Sequence, residues 1–246
     1  MSNTEPLLHF EGVTKRFGGT LAVDDVDTSL GVGEVYGLIG PNGSGKTTLM
    51  NLVSGFYPPD KGAILLGGQH LETRRAHEMA ALGVVRTFQL PRAFSSLSVF
   101  DNLLVPVTAD HRQEALASVR GRASQALTWT GLEQHAGASA GTLSGGQTML
   151  LQLARAIMHE PLRLLLLDEP FAGVAPAIKQ RMIETIQRLN GERGTTTVLV
   201  SHELNTVRQL CTRVGVMNAG CLIAEGPLAE VAARPEVIEA YLGKPV

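Results

Sequence analysis

An α/β fold built on a buried parallel sheet is what this sequence predicts, and three observations predict it. Continuous apolar runs, "LLLLD" at Leu164 and "TTVLVSH" at Thr196, lack the alternation of a strand with one wet face. Helical periods follow them, Ala177 to Leu189 after the first and Glu203 to Leu210 after the second. A glycine-rich loop, "GPNGSGKT" from Gly40, stands between a short apolar strand, Val35 to Ile39, and a helix from about Lys46 to Ser54.

The remaining elements take their places around that frame. β-like runs at Leu7 to Val13 and Ala22 to Leu30 open the chain, and "GAILLGGQH", Gly62 to His70, reads as a strand into a Gly67-Gly68 turn with no helical period after its "GGQ". A strand over Val84 to Gln89 precedes a polar, alanine-rich stretch in which Leu116, Val119, Ala123, Leu127 and Trp129 share one helical face. Trp129 reads there as a packing anchor. This helical insert separates the αβ halves. "RVGVMNAG" and "CLIAEG" form a hairpin-like pair, and short helices at Leu228 to Ala233 and Glu236 to Leu242 follow.

Composition narrows the function. The 246 residues carry 21 basic against 23 acidic side chains, a formal charge of −2, so no overall field draws nucleic acid to the surface. Two cysteines, Cys211 and Cys221, point to cytosolic thiols rather than a disulfide framework. No apolar run approaches the ~20 residues of a membrane span, and "MSNTEPLLHFEG" lacks the regions of a signal peptide. A soluble chain is expected, one that meets any membrane through partners.

Chemistry collects at the predicted strand ends. Gly40, Gly43 and Gly45 let successive backbone N–H groups turn inward around phosphates, and Lys46 brings a mobile charge to the β- and γ-phosphates. Thr47 can ligate Mg²⁺ where the helix N-terminus adds its dipole. Asn42, Gly43, Ser44, Gly45, Lys46, Thr47 and Thr48 are the nucleotide-binding candidates of this loop, which by itself indicates a nucleoside triphosphate without saying which. At the end of "LLLLDEP", Asp168 would hold Mg²⁺ through water and Glu169 would orient or deprotonate the attacking water. Gln89, after "VVRTF", can reach Mg²⁺ or the lytic water, and His202, just past a strand, can contact a γ-phosphate.

A second anion-binding pattern lies far from the first. "LSGGQTMLLQLARA", from Leu143, places an S-x-x-Q capping pattern, Ser144 with Gln147, ahead of a helix whose Met149, Leu150, Leu153 and Ile157 form an inward stripe. Gly145 and Gly146 leave room there for a phosphate to approach.

"GPNGSGKT", "TFQ", "LSGGQ", "LLLLDEP" and "VSHE", in this order, resemble the nucleotide-binding subunits of ATP-binding cassette (ABC) transporters, over about Leu7 to Leu242. The resemblance implies a P-loop NTPase with a RecA-like core, an antiparallel β subdomain and a helical subdomain in one ATPase domain, the core in 1–89 and 160–246 and the helical part in about 90–159. It makes Phe17, in "TKRFGG", the aromatic that stacks adenine, and Ser144 to Gln147 a signature that covers ATP bound to a second cassette, in a homo- or heterodimer. It further implies two membrane permeases, a solute-binding protein on the far side, and a place on the cytoplasmic face of the inner membrane. The segment after Gln89, with Leu90, Phe94, Leu97, Val99, Phe100 and Leu103, would supply insert packing and one or two contacts to a permease.

Within the family, "GVVRTFQ", "SVFDNLLV", "AGVAP" and the tail "EGPLAEVAARPEVIEAYLG" look most like the ATPases of branched-chain and hydrophobic amino acid importers. Urea, amide and carboxylate importers are similar, and a lipopolysaccharide exporter ATPase shares the "YLG" ending. Three departures stand out: Ala175 where a polar residue is usual, Thr148, Met149 and Leu150 where Gln and basic residues are frequent, and Glu203 in place of Asp. A P-loop kinase would have no reason for "LSGGQ", and an ABC protein acting on DNA or ribosomes would usually show two cassettes and a more basic surface.

Overall fold

The computed structural model describes residues 5–87, 93–109 and 115–242 and builds them around two sheets. The first is antiparallel, with strands β1 (Leu8–Phe17), β2 (Thr20–Leu30), β4 (Lys61–Leu66) and β5 (Gln69–His70) in the order β2-β1-β4-β5. Gly67 and Gly68, both at positive φ, form the tight turn from β4 to β5, so the "GGQ" at Gly67 ends in a two-residue strand.

The second sheet has six strands in the order β10-β9-β3-β8-β7-β6: β3 (Val35–Ile39), β6 (Val84–Thr87), β7 (Leu164–Asp168), β8 (Thr196–Val200), β9 (Arg213–Asn218) and β10 (Cys221–Gly226). All its pairs are parallel except the β9–β10 edge hairpin. Side chains alternate across a strand, so the all-apolar β7 feeds two cores at once. Leu165 and Leu167 join Leu199 under the helices α3 (Val99–Ala109), α4 (Leu116–Thr130), α5 (Gly145–Ile157) and α6 (Pro176–Arg193). Leu164 and Leu166 face the other way, onto α1 (Lys46–Val53) and the antiparallel sheet.

A polar seam fastens the antiparallel sheet to the hairpin. Tyr36 Oη and Thr28 Oγ1 each donate to Glu225 Oε1 at 2.6 Å, and Arg213 Nη1 lies 3.3 Å from Glu225 Oε2. Burial, with the Glu225 carboxylate next to it, pushes the Tyr36 phenol far above its ordinary value, so this hydroxyl stays a donor.

Several local expectations change. The helix α3, with Pro106 inside it, and α2 (Ala76–Ala81) occupy stretches where no helical period was legible. On α4, Val119, Ala123, Leu127 and Trp129 are buried, but Leu116 is 63% exposed, because the first helical residue lies beyond the reach of the core. Met149 is only partly buried on α5, and Leu151 and Ala154 join Leu150, Leu153 and Ile157 in the core instead. α6 runs four residues past Leu189 to a Gly194 cap at φ 64°. Cys211 and Cys221 are free thiols, and burial pushes the Cys211 thiol up to about 12.

Candidate functional site

Parallel strands that end in register deliver their next residues to one edge of the sheet. Asp168 of β7 pairs with Val200 of β8, so Glu169 and His202 emerge side by side, while β3 delivers the loop from Gly40 one strand away. Around this edge lies a cleft of about 520 Å³, lined by Asn42 to Thr48, Asp168, Glu169 and His202, with Thr20, Leu21, Ala22, Val200 and Ala219.

Two glycines are sterically compelled in the loop. A Cβ on Gly40, at φ 144°, would sit 2.1 Å from the Met217 carbonyl oxygen, and one on Gly45, at φ 107°, 2.3 Å from that of Ala22. The loop is thus clamped between β2 and β9. Lys46 is buried, and its ammonium donates to Gly40 O at 2.9 Å, Pro41 O at 2.8 Å and Ser44 Oγ at 3.3 Å. All three acceptors are neutral, and burial lowers the Lys46 pKa against the upward pull of Glu169 and Asp168. An anion arriving in the cleft would gain a desolvated positive charge with no acid bonded to it.

Glu169 adopts a left-handed φ of 50°, a conformation costly for a residue with a Cβ, and its N–H is bonded to Val200 O at 2.9 Å. Its Oε2 accepts from the His202 N–H at 3.3 Å. His202 Nε2 lies 3.0 Å from Oε1, but the angle is not that of a hydrogen bond, and Oε1 is a buried oxygen without a hydrogen-bond partner. Burial raises the Glu169 pKa, opposed by His202. A buried acceptor of raised basicity, turned toward a phosphate cleft, suits a residue that holds and deprotonates water. Asp168 Oδ2 is held by Arg86 Nη2 at 2.9 Å.

Phe17 is exposed, with the Tyr57 ring edge-on at 5.3 Å and Lys15 Nζ 5.6 Å from its centroid. Gln89 and Leu90 lie outside the described residues. Ser144 caps α5: Gln147 N donates to Ser144 Oγ at 3.3 Å and Ser144 N to Gln147 Oε1 at 2.9 Å, while Gln147 Nε2 meets His135 Nε2 at 2.9 Å. None of Ser144 to Gln147 lines the cleft. Gly145 faces open space, whereas a Cβ on Gly146 would meet Ile178 at 3.1 Å, so only the first of these glycines keeps room for a phosphate and the second serves the packing of α5 on α6.

Arg86 beside the cleft, and Thr20, Leu21, Ala22, Val200 and Ala219 on its wall, were not read as site residues from the sequence. Of these only Arg86 left a signal, a charge inside the apolar run "VVRTF".

The architecture, a P-loop at the edge of a mostly parallel sheet beside an antiparallel sheet and a helical layer, is that of a P-loop NTPase, and solved structures share it. A nucleotide-free ATP-binding cassette from an ABC transporter superposes with a TM-score of 0.85 at 31% identity, covering 98% of this chain and 100% of the other. A dimeric cassette in a post-hydrolysis state with ADP and Pi superposes at 0.79 and 25% identity, covering 90% and 98%. A family model described as ABC transporter matches residues 23–172, and one described as branched-chain amino acid ATP-binding cassette transporter matches residues 221–246. The high-affinity branched-chain amino acid transport ATP-binding protein LivG of Escherichia coli is 40% identical over 98% of this chain and 99% of its own. The corresponding protein BraF of Pseudomonas aeruginosa is 38% identical over the same shares. The chain belongs to the ATP-binding cassette family of ABC transporters, and it is a nucleotide-binding ATPase.

Proposed function

We propose that this chain energises the import of branched-chain amino acids or a related small hydrophobic solute. The observation that carries this reading is the match of residues 221–246 to the branched-chain transporter model, supported by whole-length relatives of that name. No helix among the described residues is long and apolar enough to cross a membrane, which suits a peripheral subunit at the cytoplasmic face working through two permeases and, beyond them, a solute-binding protein.

In this reading ATP lies along Asn42 to Thr48, with its γ-phosphate between Lys46 and His202 and its adenine against Phe17. Thr47 and the free edge of Asp168 would hold Mg²⁺, which when bound offsets phosphate charge. Glu169, kept basic by burial, accepts the proton of the attacking water as that water bonds to the γ-phosphorus and the bridging oxygen leaves with ADP. His202 contacts the transferred phosphate and keeps the Glu169 carboxylate from turning away.

The signature belongs to a different nucleotide. Ser144 and Gly145 lie outside this cleft, so they would close on ATP held by a second cassette, of this chain or of another gene. ATP then favours the closed pair, and loss of phosphate releases it. Replacing Glu169 by Gln tests the reading: turnover should fall while ATP-stabilised dimers accumulate in size-exclusion chromatography. Multiple-turnover hydrolysis at the normal rate would sink it.

For the permease, the open groove of about 470 Å³ between β6, α3 and α5 supports docking of a short helix. Phe94 is 48% exposed on its rim and stacks with the Arg155 guanidinium at 5.3 Å. Leu97 is exposed as well, whereas Val99 and Leu103 are buried and Phe100 is half-buried in the insert. Phe94→Ala with Leu97→Ala should uncouple ATPase stimulation in the reconstituted complex, and unchanged coupling would remove this surface from the reading.

A further inference from the structure

A guanidinium buried within an apolar strand needs a reason, since five N–H donors must be satisfied away from water. Arg86, on β6, has a side chain only 7% exposed, and its donors reach two other elements. Nη2 donates to Asp168 Oδ2 at 2.9 Å, the carboxylate itself being 12% exposed. Nη1 donates to Asn51 Oδ1 at 2.5 Å and to Ser54 Oγ at 3.2 Å, and the guanidinium lies 5.7 Å from the centre of the Phe56 ring.

These partners have a pattern. Thr47, Asn51 and Ser54 stand at i, i+4 and i+7, so the helix that begins with the phosphate-binding Lys46 and Thr47 is gripped by Arg86 one and two turns further on. The same fork grips the acid at the end of β7. Thr47 and Asp168, the two metal-side candidates among the described residues, come from elements separated by more than a hundred residues, and Arg86 bridges the helix of the one to the carboxylate of the other. Asp168 has another cation in reach, because its charge already pulls on Lys46. Engaged by Arg86 through Oδ2, it leaves Lys46 bonded only to neutral acceptors and keeps Oδ1 outside that ion pair.

We propose that Arg86 is a positioning residue of the ATPase site: it aims the Asp168 carboxylate toward Mg²⁺ and fixes its distance from Thr47, and it does so by fork geometry rather than by charge. The proposal rests on the reading of Asp168 as the acid on the metal side. A lysine would supply a point charge without the planar fork that spans Asp168, Asn51 and Ser54.

The test is nucleotide binding by the full chain, measured with a fluorescent ATP analogue in EDTA and across a Mg²⁺ titration, for the wild type, Arg86→Met, Arg86→Lys and Asn51→Ala. Loss of a partner that orients a ligating carboxylate typically weakens metal affinity about 10–100-fold. For Arg86→Met the Mg²⁺ midpoint should therefore rise at least about tenfold, with the affinity in EDTA changed much less. Arg86→Lys should shift the midpoint in the same direction despite its retained charge, and Asn51→Ala should do so more weakly. Simple removal of a positive charge beside a cation site predicts the opposite, tighter Mg²⁺, so a falling midpoint overturns the proposal. A melting temperature that drops while the ratio of Mg²⁺ to EDTA affinities stays at its wild-type value also overturns it, because the residue would then only hold the fold together. If Arg86→Met does not fold, the lysine and Asn51 variants decide. Asp168→Asn is the control for the underlying reading: if that variant keeps the full Mg²⁺ effect, the assignment of Asp168 fails, whereas loss in Asp168→Asn with none in the Arg86 variants defeats the proposal alone.

Discussion

The cleft at Lys46 and the start of α5 are both helix N-termini introduced by glycines, yet the groups around them have little in common. The first gathers a buried ammonium, two carboxylates and an imidazole around about 520 Å³. At the second, Gln147 has given both ends of its amide to Ser144 and His135. In the proposed reading one place holds the means of breaking a bond. The other offers backbone donors and a hydroxyl, enough to hold a phosphate presented by something else. The difference teaches that two anion-binding patterns in one small domain need not serve the same anion.

The comparison breaks first at the chemistry. Glu169→Gln should lower turnover about 10²–10⁴-fold, the usual worth of a general base, while ATP binding in a filter or fluorescence assay persists. Next comes the division of labour between the two ends. Lys46→Ala and Ser144→Arg should each be inactive, and in a dimer of this chain a mixed pair should recover up to about half the wild-type ATPase, or about a quarter for a random equimolar mixture, because one of its two composite sites is rebuilt from the intact halves. Failure to recover in demonstrably mixed dimers would mean that the signature serves its own chain.

Smaller effects sharpen the contrast. Ser144→Ala removes a cap whose usual worth is about 1 kcal/mol, and calorimetry should show a loss of that order while ATP binding to the isolated chain is unaffected. The smallest effect lies in the Glu169 carboxyl itself. Its pKa in the folded protein is raised above 4.5, so ionisation costs stability, and the cost develops as pH rises from the unfolded value through the folded one. Glu169→Gln should therefore melt slightly higher than the wild type at neutral pH, and the gain should vanish below about pH 4.5. A constant difference across that range would mean the carboxyl is not destabilised by burial.

The parts of the molecule legible in the sequence are those whose cause is local. Gly40 and Gly45 are demanded by backbone angles, "LLLLD" by a strand buried on both faces, and Ser144 with Gln147 by the orphan N–H groups of one helix end. α3 was not legible, because Pro106 and a mixed apolar pattern blur its period, and the exposure of Leu116 contradicts a face that spacing alone assigned to the core. Gly146 illustrates the same limit: its sequence neighbours point to a phosphate, and its contact is Ile178 from another helix.

By itself the sequence determined the order of the glycine loop, the paired acids Asp168 and Glu169, and His202, because each is tied to an adjacent strand end by a few residues of backbone. Only the tertiary structure decided that Arg86 is joined to Asp168 and Asn51, that Glu169 lies beside His202, and that the signature is outside the cleft. Such facts depend on which strands neighbour one another in the sheet, and strand order is set by packing over the whole domain, which no short window of residues contains.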